Sequence, residues 1–266
     1  LMEKAAVLCF NKIISLYPLA TTSLVGVLVG PGHNGGDALV IARELYLAGY
    51  QVQVYRPVFK LKELTANYAN YVASLGITFY EDIQPLSQCQ LIVDGLFGFG
   101  LTRELPENII QAINIVNSWS QPIVSIDLPS GIHTDTGVVL GNSIKATHTL
   151  CLGLWKRAFF QDHALEYLGQ STRIDFGLLQ HHIWSVLPQP VPVKQMTKAI
   201  ALGFLPLPRP AITYKYRQGH LLLICGSRTY AGAAILTALG ARASGVGMLS
   251  VAVPESLKPL LSSHLP

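Results

Sequence analysis

Residues Gly30 to Val40 read "GPGHNGGDALV". The first six fit G-x-G-x-x-G. An apolar run, Leu24–Val29, precedes them, and a helix-like stretch, Asp37–Ala48, follows. Strand, glycine turn and helix in that order open a doubly wound α/β domain. There the turn lets backbone N–H groups approach a ligand, and the helix N-terminus favours an anion. The motif alone is weak, because a plain strand-to-helix turn uses the same glycines. The inside of this turn is unusual: His33 and Asn34 come before the paired Gly35 and Gly36, and Asp37 comes after.

Outward from the turn, strands and helices alternate. Met2–Tyr17 carries Ala5, Leu8, Cys9, Ile13 and Leu16 on one apolar stripe and reads as a helix. Gln51–Tyr55 reads as a strand, Leu61–Leu75 as a helix ended by Gly76, and Ile77–Tyr80 as a short strand. Leu91–Val93 is a buried strand ending at Asp94, Pro106–Trp119 a helix with proline in its first turn, and Ile123–Ile126 a strand ending at Asp127. Thr147–Leu152 and Thr172–Asp175 read as later strands. Strands that are near-continuous apolar runs belong in a parallel sheet covered on both faces.

Residues 187–213 break the rhythm. They hold six prolines, in "LPQPVP" and "LPLPRP", and read as an extended linker. A new α/β unit then opens: strand His220–Cys225, turn Gly226–Tyr230, helix Ala231–Ser244, strand Val246–Val253. About fifty residues lie near the lower limit for folding alone. The expected domains are therefore residues 1–186, a linker, and residues 214–266 as the opening of a second domain. The chain starts at Leu1 directly on a helical pattern, so its natural start is expected upstream.

Composition excludes several classes. The 266 residues are half apolar with 13% charged, enough for a sizeable core. The net charge of +4 is mild and Lys and Arg are scattered, so neither nucleic acid nor a membrane surface is an expected partner. No stretch of about 18 apolar residues appears. Cys9, Cys89, Cys151 and Cys225 are far apart and form no C-x-x-C, which points to buried reduced thiols in a cytoplasmic protein. His133, His148 and His163 have no partner at metal-ligand spacing.

The candidate chemistry lies at strand ends. Asp94 in "IVDGLFGFGL" and Asp127 in "VSIDLPSG" each stand where a buried strand meets a loop, the edge at which open parallel sheets bind ligands. Asp127 suits proton transfer. Asn34, Asp94 and Ser130 each offer a hard oxygen; with one carboxylate among them, a monovalent cation fits better than Mg²⁺ or Zn²⁺, while plain loop hydrogen bonding uses the same atoms. Lys156 and Arg157 follow a strand and could position a substrate or simply form a basic surface. The second strand ends "VQVYRP", with Arg56 where a nicotinamide dehydrogenase carries an acid for the ribose, which counts against an ordinary dinucleotide oxidoreductase.

"GPGHNGGDALVIAREL", "DGLFGFGLTREL" and "VSIDLPSGIHTDTG", in that order, resemble the NAD(P)H-hydrate epimerases, and the resemblance runs from residue 1 to about 180. "GHLLLICGSRTYAGAAILTALGARASGVGMLSVAVP" resembles the start of the ribokinase-like NAD(P)H-hydrate dehydratases. The two occur fused in nicotinamide nucleotide repair proteins. The resemblance implies a Rossmann-like sheet followed by an incomplete ribokinase-like α/β domain, and a small-molecule substrate: NADH or NADPH hydrated at ring carbon 6 (NADHX, NADPHX), whose R and S forms the epimerase interconverts. It implies that His33, Asn34, Gly35, Gly36 and Asp37, with Gly98, Phe99, Gly100, Leu101, Thr102, Arg103 and Glu104, line the hydrate site. It implies K⁺ on Asn34, Asp94 and Ser130, and substrate contact at Asp127, the expected acid–base residue, assisted by Lys156. In a complete dehydratase, which uses ADP or ATP, Ala233 and Ala234 lie near the hydrate. The later G-T-G-D stretch of that family does not occur here, so this chain is not expected to dehydrate. His33, Ala38 and Phe99 depart from the usual family residues, and Phe99 is expected to narrow the site. Homo-oligomer formation is left open. The rival reading is a non-catalytic dinucleotide- or protein-binding module on the same fold.

Overall fold

Short apolar strands that bury both faces need helices on both sides, and the helices between them supply the cover. The computed structural model describes residues 1–187, 190–191, 193–205 and 208–265. Its contacts divide the chain into two units, Leu1–Pro188 and Gln189–Pro266.

In the first unit the order is α1 (Met2–Leu16), β1 (Leu24–Val29), α2 (His33–Leu47), β2 (Gln51–Tyr55), α3 (Glu63–Ser74), β3 (Thr78–Tyr80) and β4 (Leu91–Gly95). There follow α4 (Glu107–Asn117), β5 (Ile123–Ile126), β6 (His148–Leu152), α5 (Leu165–Leu168), β7 (Gln170–Ile174) and α6 (Gln180–Val186). The seven strands form one sheet in the order β3-β2-β1-β4-β5-β6-β7, and every pairing is parallel. The order reverses between β1 and β4, so a crevice opens at their carboxyl ends.

One face of the sheet packs on α1, α2 and α3 through Cys9, Ile13, Val27, Leu39, Leu45 and Val72. The other packs on α4 through Leu86, Ile92, Ile109, Ile113 and Val116. Each such side chain stabilises the fold by about 1.5–3 kcal/mol when fully buried.

The sequence places the start of α2 at Asp37; the structure starts it at His33, so the second pair of glycines is helical. Local propensity argues against glycine there. Packing overrides it: a Cβ on Gly35 would overlap the Gly30 carbonyl, and one on Gly36 would press on the Met2 sulfur at 2.8 Å. The glycines let α2 sit directly on the end of β1 and against α1.

The second unit contains α7 (Lys198–Phe204), β8 (His220–Ile224), α8 (Ala231–Ala243), β9 (Met248–Ala252) and α9 (Lys258–His264). β8 and β9 pair in parallel, and Ala234, Leu257 and Leu261 form a small core. The expected extended linker is corrected in part: Lys198–Phe204 is a helix, begun by Thr197, whose hydroxyl accepts the Ile200 N–H at 3.2 Å. The linker prolines Pro188, Pro192 and Pro206 lie outside the described residues. Among the described residues no helix is long and apolar enough to cross a membrane. Cys9, Cys89 and Cys151 are buried and all four cysteines are free thiols.

Candidate active site

Two adjacent strand ends converge beside the first turn of α2. Asp94, on β4, is fully buried. Its carboxylate accepts four hydrogen bonds: from the Ser130 hydroxyl at 2.6 Å, the Ser130 N–H at 2.9 Å, the Ser125 hydroxyl at 2.7 Å and the Leu96 N–H at 3.2 Å. Burial pushes the Asp94 pKa up, and those donors pull against it. Ser130 Oγ also accepts the Phe97 N–H at 2.8 Å, which ties the loop after β4 to the loop after β5.

Asp127 follows β5 with φ +71°, the one non-glycine positive φ among the described residues. A side chain in that conformation costs on the order of 1–3 kcal/mol, and such strain collects at functional sites. The strain is held by the fold: the Asp127 N–H still pairs with the Leu150 carbonyl at 2.8 Å. Its Oδ1 accepts from Lys156 Nζ in an ion pair and from the Leu152 N–H at 3.3 Å. Its Oδ2 accepts the Phe99 N–H at 3.0 Å. Lys156 is fixed in turn by the Leu152 carbonyl at 2.6 Å and faces the Cys151 sulfur at 3.7 Å. Burial raises the Cys151 thiol to about 11, so this neighbour is a neutral thiol near neutral pH.

Gly98 marks the meeting point. A Cβ there would stand 3.1 Å from both Asn34 Oδ1 and Asp127 Oδ2, and 3.0 Å from Asn34 Cγ. The loop from β4, the helix turn of α2 and the end of β5 thus close on one spot. Buried Nδ2 of Asn34 has no hydrogen-bond partner. An amide left unspent in a polar corner is available to a ligand. Gly32, at the N-cap of α2, brings no side-chain cap, so the first N–H groups of the helix are also free for an anion.

Asp37, one turn further along α2, is buried. Burial raises its pKa to about 7, with the Asp127 carboxylate adding to the rise. It is a second carboxyl near Asp127, set up to gain and lose a proton near neutrality.

The structure therefore brings together Asn34, Gly98, Asp127 and Lys156, with Asp94 and Ser130 at the neighbouring strand end. His33, Gly100, Thr102, Arg103 and Glu104 lie on the surface of the surrounding loops, and Leu101 is half-buried. The expected narrowing by the Phe99 ring is not seen: that ring is 72% exposed, and the backbone N–H of Phe99 is what enters the site. Arg157 is exposed. Ala234 belongs to the second unit, buried at 2.9 Å from where a Cβ of Gly226 would lie. An open depression of about 530 Å³ in that unit, lined by Arg242, Leu249, Val251, Lys258 and Leu261 among others, carries none of the strand-end acids. Sequence reasoning missed Ser125, the register partner of Asp94 in the neighbouring strand. A lone polar residue inside an apolar strand beside one that ends in Asp was its signal.

Residues 1–158 match the family described as YjeF-related protein N-terminus. Residues 221–266 match the NAD(P)H-hydrate dehydratase family. The whole chain is 55% identical to a bifunctional NAD(P)H-hydrate repair enzyme of Synechocystis, covering 51% of that protein. Over 172 residues, 64% of the chain, it is 35% identical to an NAD(P)H-hydrate epimerase of Limosilactobacillus reuteri, covering 80% of that protein. A yeast protein of known crystal structure superimposes with a TM-score of 0.55 at 26% identity, over 65% of this chain and 76% of that one. The chain spans about half the length of the bifunctional relatives it matches.

Proposed function

Because the chain belongs to the YjeF-related N-terminal family, we propose that its first unit epimerises the R and S forms of hydrated NADH and NADPH, as a cytoplasmic enzyme of metabolite repair. The observation that carries this reading is the strained, ion-paired Asp127 facing Gly98 and the unspent amide of Asn34. The C6 hydroxyl of the hydrate is attached beside the ring nitrogen. Protonating it lets the nitrogen lone pair expel water and leaves a planar iminium; water adding to the other face inverts the centre.

The Asp127–Lys156 pair supplies one acidic proton, held between Oδ1 and Nζ. Passing it to the hydroxyl releases water, and the pair then takes a proton back from the incoming water. No net proton is consumed. Gly98 leaves room for the ring carbon to approach Oδ2, and the Phe99 N–H keeps that oxygen in place. The free N–H groups at the start of α2 suit the substrate's pyrophosphate.

Asn34, Asp94 and Ser130 would hold a potassium ion. A single carboxylate with amide and hydroxyl oxygens suits a monovalent ion, and among the described residues no cluster of three His, Cys, Asp or Glu side chains offers a site for a transition metal. The ion would supply a fixed positive charge at the base of the loop. The second unit corresponds to the opening of a dehydratase; ADP or ATP belongs to that domain in complete form, and we assign it no catalysis alone.

The test is conversion of the pure R hydrate by the purified chain, followed by chromatography in potassium and in sodium. Conversion well above the spontaneous rate, faster in potassium, is expected. No acceleration in either salt would favour the rival reading, a binding module on this fold.

A further inference from the structure

The end of β2 holds a cation that the epimerisation site does not use. Arg56 follows Tyr55 directly, and its N–H donates to the Tyr80 carbonyl at 2.8 Å, which fixes its backbone to the end of β3. Its guanidinium carbon lies 5.5 Å from the Phe59 ring centroid and 5.1 Å from that of Phe79. The side chain is half-buried, and its Nε is buried with no hydrogen-bond partner. Among the described residues Arg56 makes no ion pair: Glu81 and Asp82, which follow β3, do not reach it. A cation resting on two rings and left without an anion is a preformed receptor for one.

Its position says which anion. β2 lies next to β1 in the sheet, on the side away from β4. The reacting groups Asp127 and Lys156 stand just beyond the ends of β5 and β6, with Asp94 beside them on β4. A dinucleotide whose ring enters there and whose pyrophosphate meets the start of α2 extends its adenosine over the end of β2. At that place an acid bonds the ribose 2′-hydroxyl, whereas an arginine accommodates a 2′-phosphate. The segment Gln51–Lys62 contains no acid and three basic residues, Arg56, Lys60 and Lys62. The segment is also tied to the glycine turn. The Lys62 N–H donates to the Pro31 carbonyl at 3.0 Å, and the Thr65 hydroxyl, on α3, donates to the Gly32 carbonyl at 2.9 Å.

We propose that Arg56 reads the adenosine 2′-phosphate and makes the phosphorylated hydrate, NADPHX, the preferred substrate. This rests on the epimerase reading for its substrate, but the receptor itself is testable without turnover. The planar fork matches two phosphate oxygens at once, which a lysine cannot do.

Two measurements at fixed ionic strength decide it. The first is the ratio of kcat/KM for R-NADPHX over R-NADHX, in wild type, Arg56→Gln and Arg56→Lys. The ratio is expected to exceed one in wild type and to fall about tenfold in Arg56→Gln, through KM rather than kcat, with Arg56→Lys between them. The second is calorimetric binding of adenosine 2′,5′-bisphosphate against AMP, which differ only in the 2′-phosphate. Wild type is expected to favour the bisphosphate by about tenfold, and Arg56→Gln to lose that preference. A ratio and a preference that survive in Arg56→Gln, or that are absent from wild type, overturn the proposal. A chain that epimerises neither hydrate but keeps an Arg56-dependent preference for the bisphosphate would sink the epimerase reading and leave the receptor standing.

Discussion

The ends of β4 and β5 lie side by side, and each delivers an aspartate, yet the two carboxylates are treated in opposite ways. Asp94 is surrounded by donors from Ser125, Ser130 and Leu96 on an unstrained strand. Asp127 sits on a strained residue, shares a lysine, and turns one oxygen toward a glycine. The first arrangement spends hydrogen bonds to hold two loops in register. The second holds backbone strain and an ion pair beside an open glycine. Neighbouring strand ends of the same sequence type can thus divide the labour between framework and chemistry.

The largest expected effect tests the framework half. Asp94→Ala removes the shared acceptor of four buried hydrogen bonds, and urea unfolding should report a loss of about 4 kcal/mol or more. If the variant is nearly as stable as wild type, Asp94 is not the brace described here.

Next comes the third carboxyl, Asp37. Its pKa is raised from 3.8 to about 7 in the folded chain. Between those values the folded protein keeps a proton that the unfolded chain has released, so stability falls as pH rises through the window. The cost is fully present above about pH 7 and amounts to about 4 kcal/mol at most. Asp37→Asn stays neutral, so its unfolding free energy should be flatter than wild type between pH 4 and about 7. Parallel pH curves for the two proteins would refute the assignment.

Lys156→Met sharpens the chemical half. It leaves Asp127 without its partner and should slow epimerisation about 100-fold. A rate close to wild type would confine Lys156 to structure. The smallest effect isolates the strain: Asp127→Gly and Asp127→Ala both lack the carboxylate, and the glycine variant should be the more stable by about 1 kcal/mol. Equal stabilities would mean that φ +71° carries no cost.

Much of this arrangement was legible in the sequence. Leu24–Val29 and Ile123–Ile126 form strands with the bounds their apolar runs suggest, because a buried strand needs little beyond apolar side chains between turns, and the alternating Gln51–Tyr55 forms the strand expected of it. The start of α2 was not legible: glycine reads as loop, and only the contacts of Gly35 and Gly36 with Gly30 and Met2 make it helix. The Thr197-capped helix was hidden by the prolines around it. Asp127 and Lys156 stand twenty-nine residues apart in the chain, and their ion pair depends on β5 and β6 lying together, which no spacing rule reports. His220–Cys225 reads as a strand and forms one, with Leu222 58% and Ile224 80% exposed in β8; an apolar run reports a face that needs cover, not where the cover lies.

The most direct test of the central claim is the rate at which Asp127→Asn converts the R hydrate to the S form at saturating substrate, relative to wild type in potassium. Asparagine keeps the size and can accept the Phe99 N–H but cannot carry the proton. The account predicts a loss of about 10³-fold or more, with substrate binding retained. A variant that turns over at close to the wild-type rate would contradict it and remove Asp127 from the chemistry.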